Sequence, residues 1–436
     1  MFGRGAADRQ PSQLGGTEAW AIWLLATLFV VWLFAIQTGY GIVSRSIQED
    51  AGLSISQVAF AASIYTWAFA ISQFFSGSLL DRYGTRPLLT VSVALVTIGA
   101  CLYAHTASFE TLIVAQVVLA IGSSFGFVGA GYVGGKWFDS AKYGLMFGLV
   151  QMCASLGSAL AQPLISAQLE YMSWRQLLTG FGAFGALLTI AFALLVHNPH
   201  EAEQQPASER RNVFVEIAVD LKACLLNLQV LLSALFAGAS FGTMLAVGVL
   251  WGPRVQEARG ASPGFAAVLS ALAWLGLAVG APLVNVISNH WHSRKRPSVV
   301  GLGLQAIAVA LFIYLPPSSG QAVSAVVMFA VGVLAGAHML GFTIAGESVP
   351  PHLIGSASAI VNGVCFIVGG LLVAVPGRWL PAEPLLGDYQ GALWLMPVTL
   401  VAGTACAAAL RERQQAAQSP HDEPRVALPG AHARAH

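Results

Sequence analysis

Twelve long apolar runs occupy most of this 436-residue sequence and leave only short polar connections between them. A helix needs about 20 consecutive apolar residues to cross the hydrocarbon core of a bilayer. The runs are continuously apolar rather than alternating, which favours helices over the strands of an outer-membrane barrel. Their approximate bounds are 19–44, 57–79, 87–105, 110–135, 142–168, 174–196, 227–252, 263–288, 297–315, 320–345, 352–376 and 389–410. The predicted fold class is therefore an all-α membrane protein with twelve transmembrane helices.

The composition excludes several classes of function. Only 9% of the residues are Asp, Glu, Lys or Arg, whereas roughly 25% is usual for a soluble domain. The net charge of +1 leaves no basic surface for nucleic acid. The five cysteines contain no C-x-x-C pair, and the sequence has neither a Walker A motif nor an evident nucleophile-base pair. We therefore expect no nucleic-acid partner, no metal or other cofactor, and no enzymatic activity.

A polar segment at 197–226 divides the runs into two sets of six, a layout typical of transporters built from repeats. Within this segment, Val213–Cys224 can lie amphipathically on the membrane surface. The loop Gly77–Pro87 after run two has a weak echo in Ser288–Pro297 after run eight, so the two halves are expected to be pseudo-symmetric. The predicted domains are a cytoplasmic leader at 1–18, a six-helix bundle at 19–196, a cytoplasmic central loop at 197–226, a second six-helix bundle at 227–410 and a disordered cytoplasmic tail at 411–436.

The distribution of basic residues predicts the orientation. Lys and Arg are retained on the cytoplasmic side of a membrane. If the N-terminus is cytoplasmic, 16 of the 21 basic residues fall on that side. The other five are Arg45, Arg175, Arg254, Arg259 and Arg378. Both termini are therefore predicted to be cytoplasmic, in the inner membrane of a bacterium.

The loop Gly77-Ser-Leu-Leu-Asp81-Arg82-Tyr-Gly84-Thr-Arg86 resembles the signature loop of the major facilitator superfamily, G-x-L-x-D-R-x-G-x-R. Together with the twelve spans and the central loop, the resemblance covers nearly the whole chain. It implies two six-helix bundles that rock about a midplane site. It also implies that Asp81 faces the start of span eleven, and that the loop acts as a conformational latch formed by Gly77, Asp81, Arg82, Gly84 and Arg86.

A finer resemblance links Gly122–Phe138 and Gly346–Gly363 to a bacterial subfamily that includes phagosomal nutrient transporters, whose features recur in relatives handling siderophores and organic anions. Two departures limit what it implies. The stretch Gln116–Gly122 lacks the Arg of R-x-x-x-G-x-G, which argues against standard proton coupling, and Gly157–Pro163 lacks the G-P-x-x-G-G of drug antiporters. The leading expectation is a secondary transporter of an amino acid or similar nutrient. The alternatives are a siderophore or organic-anion transporter and a non-transporting nutrient sensor.

Polar side chains inside the apolar runs are the candidate substrate ligands, because the lipid side of a helix cannot satisfy them. The alternative role is hydrogen bonding between helices. His338 could bind substrate, relay a proton or be structural, and Tyr40 and Gln162 belong to the same class of buried polar groups. The residues predicted to line a central cavity are Gln37, Gln151, Trp274, His338 and Asn362.

Charged side chains are almost absent from the spans. Glu347, at the cytoplasmic end of run ten, is interpreted as a gate salt bridge or a coupling carboxylate. An anionic or zwitterionic substrate would need Arg45, Arg254 or a helix end as its counter-charge. The expected partners are a small-molecule substrate and the lipid bilayer, with a proton as a coupling ion that the sequence leaves open, and a monomer is expected.

Overall fold

The computed structural model describes residues 14–138, 143–197, 213–350 and 353–411, and within these ranges it contains helices and no strand. The longer helices follow the predicted apolar runs. In lipid, a single segment can hydrogen-bond all of its backbone N–H and C=O groups internally only as a helix. The α-helices are α1 Thr17–Asp50, α2 Ile55–Tyr83, α3 Thr85–Ala104, α4 Phe109–Ser123, α5 Gly126–Trp137, α6 Tyr143–Gln168, α7 Trp174–Leu195, α8 Val213–Leu225, α9 Leu228–Ala246, α10 Gly252–Ala258, α11 Pro263–His290, α12 Lys295–Tyr314, α13 Gln321–Ala335, α14 Met339–Glu347, α15 Ile354–Gly377, α16 Leu386–Ala392 and α17 Leu395–Ala409.

Twelve helical segments of the described chain are long and apolar enough to cross a membrane, which confirms the predicted fold class. Eight spans are single helices. The other four combine two helices each: α4 with α5 forms span four, α9 with α10 span seven, α13 with α14 span ten, and α16 with α17 span twelve. We call the side at which span one starts the cytoplasmic side and the opposite side the periplasmic side, according to the predicted orientation.

Spans one and seven are longer than the apolar runs indicate. The runs end at 44 and 252, whereas the helices continue to Asp50 and Ala258. The additional turns carry charged residues such as Arg45 and Glu257, which pair with each other across the two helices. A prediction from hydropathy places the end of a span at its first charged residues. The helix itself can continue past them where those side chains have partners.

Serine caps start four of the spans that return from the periplasmic side. Ser54, Ser108 and Ser173 each form a capping box with the residue three positions later, and Ser262 accepts a hydrogen bond from Phe265 N. A side-chain oxygen at this position satisfies a backbone N–H that the helix leaves free. These serines therefore set where the even-numbered spans two to eight begin.

The twelve spans pack as two six-helix bundles. In the first bundle, span three packs on spans four and six, and span one packs on span five. In the second, span seven packs on spans eleven and twelve, and span eight packs on span ten. Within the described residues, the most extensive contacts between the bundles are those of span two with span eleven, span five with span eight, and span one with span seven. We call this boundary the seam.

The predicted central loop contains a helix. Helix α8 packs on the cytoplasmic ends of spans two, seven and eleven. It buries Ile217 and Cys224 and exposes Val215 and Val219, the two-faced pattern expected of a helix lying along a membrane surface. Most of the predicted leader and nearly all of the predicted tail lie outside the described residues.

Candidate functional site at the seam

Span seven changes its helical geometry at the centre of the seam. Residues Val247–Trp251 form a π-helical turn between α9 and α10, a local irregularity that is often found at functional sites. Pro253, two residues after the turn, has no N–H to donate to the carbonyl of Val249. Gly248 lies within the turn, and a Cβ there would come within 2.7 Å of Trp274 Nε1. Span eight therefore packs against bare backbone at this point.

The carbonyl oxygen of Gly248 accepts two side-chain hydrogen bonds. Gln162 Nε2 of span five donates at 2.7 Å, and Trp274 Nε1 of span eight donates at 3.4 Å. The same Gln162 nitrogen donates to the carbonyl of Thr38 in span one at 3.1 Å. One fully buried amide thus connects spans one, five and seven.

Two buried amides on spans one and five have unpartnered atoms. Both hydrogen-bond partners of Gln162 are carbonyl oxygens, so its nitrogen must be the donor, and its Oε1 is buried with no partner. The Nε2 of Gln37 is also buried with no partner. Gln37 lies one helical turn from Gly41, which packs on the backbone of Val249. Residues four apart share a helix face, so Gln37 lies on the seam face of span one.

A second polar group lies closer to the cytoplasmic side. His338 ends a short 3₁₀ turn in span ten, where its Nδ1 is 2.8 Å from the carbonyl oxygen of Ala335. Its ring centroid is 4.7 Å from that of Phe241, which lies 5.8 Å from Phe366 of span eleven. Asn362, one turn before Phe366, donates a hydrogen bond to Gln73 Oε1 of span two across the seam.

The five predicted cavity residues therefore do not converge on one point. Trp274 contacts the π turn, and Gln37 is on the seam face of span one. His338 packs on Phe241, and Asn362 bonds Gln73 of span two. Gln151 is half-buried and donates to Ser155 Oγ on its own helix at 3.1 Å.

The structure describes two of the five predicted latch residues, Gly84 and Arg86, with their side chains. The side chains of Gly77, Asp81 and Arg82 lie outside the described residues. Gly84 ends α2 with φ +76°, a conformation that favours glycine. Arg86 Nη2 donates to the carbonyl of Ala193 at 2.9 Å, where the free carbonyls at the end of span six favour a cation.

The weak echo of the latch in the second half also carries an arginine contact. Arg294 pairs with Glu347 at 3.4 Å and donates to Asn289 Oδ1 at 2.7 Å. These contacts join the start of span nine to the ends of spans eight and ten. Glu347 thus lies in a loop ion pair within the second bundle.

Polar and charged residues join the bundles at the periplasmic side of the seam. Arg45 of span one pairs with Glu257 of span seven at 3.0 Å. One turn earlier in span seven, Arg254 Nη2 donates to Ser44 Oγ and Gln48 Oε1 of span one, both at 3.1 Å. Two arginines, one from each helix, therefore hold spans one and seven together here.

Arg254 differs from Arg45 in having no acidic partner. Tyr389, in span twelve, lies near Arg254 within the second bundle. Among the described residues no ion pair involves Arg254, and its Nε is buried without a partner. Arg254 is therefore a partly buried cation held by neutral groups.

Sequence reasoning named Gln162 and Arg254 but did not assign their contacts. The bridging role of Gln162 depends on how spans one, five and seven rotate toward each other, which no single helix encodes. A local signal exists in the flanking prolines, because Pro163 and Pro253 each remove a backbone donor next to the bridge. Within the described residues, no three His, Cys, Asp or Glu side chains come together as a metal site.

Comparisons with known proteins identify similar chains. A family model described as the Major Facilitator Superfamily matches residues 23–374. The probable galactarate/D-glucarate transporter GudP of Bacillus subtilis is 22% identical over 418 residues, which cover 88% of this chain and 90% of the relative. The probable sulfoacetate transporter SauU of Cupriavidus necator is 25% identical over 298 residues, 65% of this chain and 68% of the relative. The crystal structure of a D-xylose-proton symporter superposes with a TM-score of 0.71 at 15% identity, covering 90% of this chain and 98% of that one.

Proposed function

This chain belongs to the major facilitator superfamily, and from that premise we propose that it transports small organic anions that carry a carboxylate, rather than zwitterionic amino acids, across the cytoplasmic membrane of a bacterium. Members of this fold are secondary transporters of small solutes that work by alternating access. The finer assignment, an organic anion as substrate, is our proposal.

The observation that carries the proposal is Arg254. A guanidinium removed from bulk water is stabilised by an anion, and its fork of donors matches a carboxylate. Here it has Ser44 and Gln48 as partners across the seam instead of an acid. A carboxylate arriving at this arginine adds the attraction of an opposite charge and can accept two parallel hydrogen bonds from the guanidinium. Arg254 is thus suited to an anionic substrate.

Two relatives support the same substrate class. Their names assign galactarate or D-glucarate to one and sulfoacetate to the other, and all of these compounds are carboxylates. We therefore rank an organic anion ahead of the amino acid or similar nutrient expected from the sequence.

In the proposed cycle, Arg254 changes partners as the seam opens and closes. With the periplasmic side closed, Arg254 bonds Ser44 and Gln48. When spans one and seven separate, both bonds break and the arginine becomes available to substrate. Closure returns Ser44 and Gln48 to Arg254 and favours release of the substrate toward the cytoplasm. We propose that the protein works as a monomer with both termini cytoplasmic.

Uptake into proteoliposomes tests the proposal. Purified protein is reconstituted and supplied with radiolabelled D-glucarate, sulfoacetate, L-alanine or D-glucose. We expect uptake of at least one of the two anions and its loss in Arg254→Gln. The matched control is Arg45→Gln, which removes another cation on the periplasmic side. The Arg45 side chain is 67% exposed, so this variant should retain most uptake.

Three outcomes would contradict the proposal in different ways. Uptake of L-alanine or D-glucose without either anion would reject the substrate class. Loss of anion uptake in Arg45→Gln but not in Arg254→Gln would move the counter-charge to Arg45. Anion binding without uptake by any variant would favour the nutrient-sensor alternative.

A further inference from the structure

Two unpartnered amide atoms, on the spans that border the seam, point to a second element of substrate recognition. Gln162 Oε1 is an acceptor without a donor, and Gln37 Nε2 is a donor without an acceptor. The residues are 0% and 6% exposed. Buried polar side-chain atoms in proteins are nearly always hydrogen-bonded. Fifteen buried side-chain atoms of the described residues have no partner, and these two are amide atoms on spans one and five, which border the seam.

A buried amide elsewhere in the protein shows what a structural role looks like. Gln305 of span nine is fully buried, and both of its amide atoms are paired with Ser240 of span seven, at 2.7 and 3.0 Å. Both helices belong to the second bundle, so this pair need not break when the bundles move. Gln162 instead bonds spans of both bundles and leaves its oxygen free.

We propose that Gln37 and Gln162 bind hydroxyl groups of the substrate, and that the transported acid is therefore polyhydroxylated. This inference rests on the proposed function and adds the chemistry of the substrate body to that of its carboxylate. A hydroxyl group offers one donor and accepting lone pairs. It can therefore donate to Gln162 Oε1 and accept from Gln37 Nε2, whereas a methylene group can do neither.

The exchange at these amides parallels the exchange at Arg254. In the closed seam Gln162 Nε2 donates to the carbonyls of Thr38 and Gly248. Separation of the bundles breaks the bond from Gln162 to Gly248 of span seven, whereas the bond to Thr38 lies within the first bundle and need not break. The opened seam then gives substrate access to the unpartnered Oε1 of Gln162. A site built to hydrogen-bond hydroxyls discriminates strongly against a ligand that lacks them, because its polar groups then stay unpaired.

A matched pair of ligands tests the inference. D-glucarate and adipate are dicarboxylates of the same carbon-chain length, and only D-glucarate carries hydroxyls. Binding to purified protein is measured by calorimetry, and uptake by competition with labelled D-glucarate. We expect the wild type to bind D-glucarate at least about tenfold more tightly than adipate, and Gln162→Leu or Gln37→Leu to lose roughly tenfold for D-glucarate with little change for adipate.

The ratio of the two affinities within one variant separates recognition from general damage. Gln305→Leu is the matched control: it removes an equally buried amide and should lower thermal stability while keeping the wild-type ratio. If Gln162→Leu fails to fold, the same affinity ratio is measured in Gln162→Asn, whose side chain is one methylene shorter, and in Gln37→Leu. Arg254→Gln should weaken both ligands.

Each remaining outcome has one meaning. Equal wild-type affinity for the two ligands, or an unchanged ratio in folded Gln37 and Gln162 variants, overturns hydroxyl recognition. Binding of sulfoacetate without D-glucarate also overturns it but leaves the anion transporter standing. If no anion binds the wild type, the proposed function fails, and the inference fails with it.

Discussion

Removing the span-one partners of Arg254 is expected to open the periplasmic side of the seam. The perturbation is the double variant Ser44→Ala, Gln48→Ala, which leaves the arginine in place and deletes both groups that hold it from span one. Each of the two hydrogen bonds is 3.1 Å long. Because span seven carries the arginine, the variant weakens a contact between the bundles rather than within one.

The size of the effect follows from the environment of the arginine. A hydrogen bond to a charged group contributes about 1.5–3 kcal/mol, but Arg254 is only partly buried and water can replace a lost partner. We therefore take about 1.5 kcal/mol for the pair together. Since 1.4 kcal/mol corresponds to a factor of ten, the fraction of molecules with an open periplasmic side should rise roughly tenfold.

The assay uses a cysteine that reagent reaches only when the seam opens. Thr38 of span one is fully buried, and its hydroxyl bonds only within its own helix, to Phe34, so Thr38→Cys is a small change. The variant is made after replacing the five natural cysteines. A membrane-impermeant maleimide is then applied from the periplasmic side, and the labelling rate follows the open fraction while opening and closing are faster than the reaction.

The control is a variant that removes a weaker contact between the same two spans, the Arg45–Glu257 ion pair. Arg45 and Glu257 also join spans one and seven, but the Arg45 side chain is 67% exposed, and exposed ion pairs contribute only about 0–1 kcal/mol. Arg45→Gln should therefore raise the labelling rate less than the double variant does. A rate in the double variant within about twofold of the parent would refute the assigned role of Arg254 in closing the seam.

Three further predictions concern the orientation, the latch and the coupling group. Reporter fusions in the 197–226 segment and at the C-terminus should both report cytoplasm, because 16 of 21 basic residues lie on that side in the predicted topology; a periplasmic signal from either would contradict it. Asp81→Asn should lower transport at near-normal expression and increase labelling of cytoplasm-facing cysteines, because the predicted contact of Asp81 with the start of span eleven contributes about 0.3–1 kcal/mol. Unchanged labelling would mean that Asp81 is an ordinary loop residue and not part of a latch. His338→Gln should flatten the pH dependence of uptake while binding persists if the imidazole carries a coupled proton; an unchanged profile would leave His338 a structural residue held by Ala335 and Phe241.

The sequence predicts the membrane fold well because lipid leaves so few alternatives. An apolar run of sufficient length must be a helix in the bilayer, so all twelve spans could be predicted without knowledge of packing. The ends of spans one and seven could not, since the turns carrying Arg45 and Glu257 extend these helices through a contact with each other. That contact depends on a partner more than 200 positions away in the chain.

The polar residues were identifiable by type but not by grouping. Gln37, Trp274, His338 and Asn362 all stand out inside apolar runs. Which of them contact the same point, as Trp274 and Gln162 do at Gly248, depends on the depth and rotation of each span. The apolar runs give neither quantity, because a helix that is apolar all round has little preferred face. The bridge from Gln162 to Thr38 and Gly248 needs three such rotations at once, and only the neighbouring prolines hint at it.

The scarcity of charge in the seam is consistent with the proposed exchange of partners. If an aspartate held Arg254, an incoming carboxylate would replace one acid with another and gain little. Ser44 and Gln48 are neutral, so an incoming carboxylate adds the attraction of an opposite charge to the hydrogen bonds that it accepts from Arg254. The closed seam still needs these neutral bonds, because an arginine without any partner would be costly to bury. Neutral partners thus keep the empty periplasmic side closed by a margin small enough for the substrate to overcome, which a strong ion pair in the same place would not do.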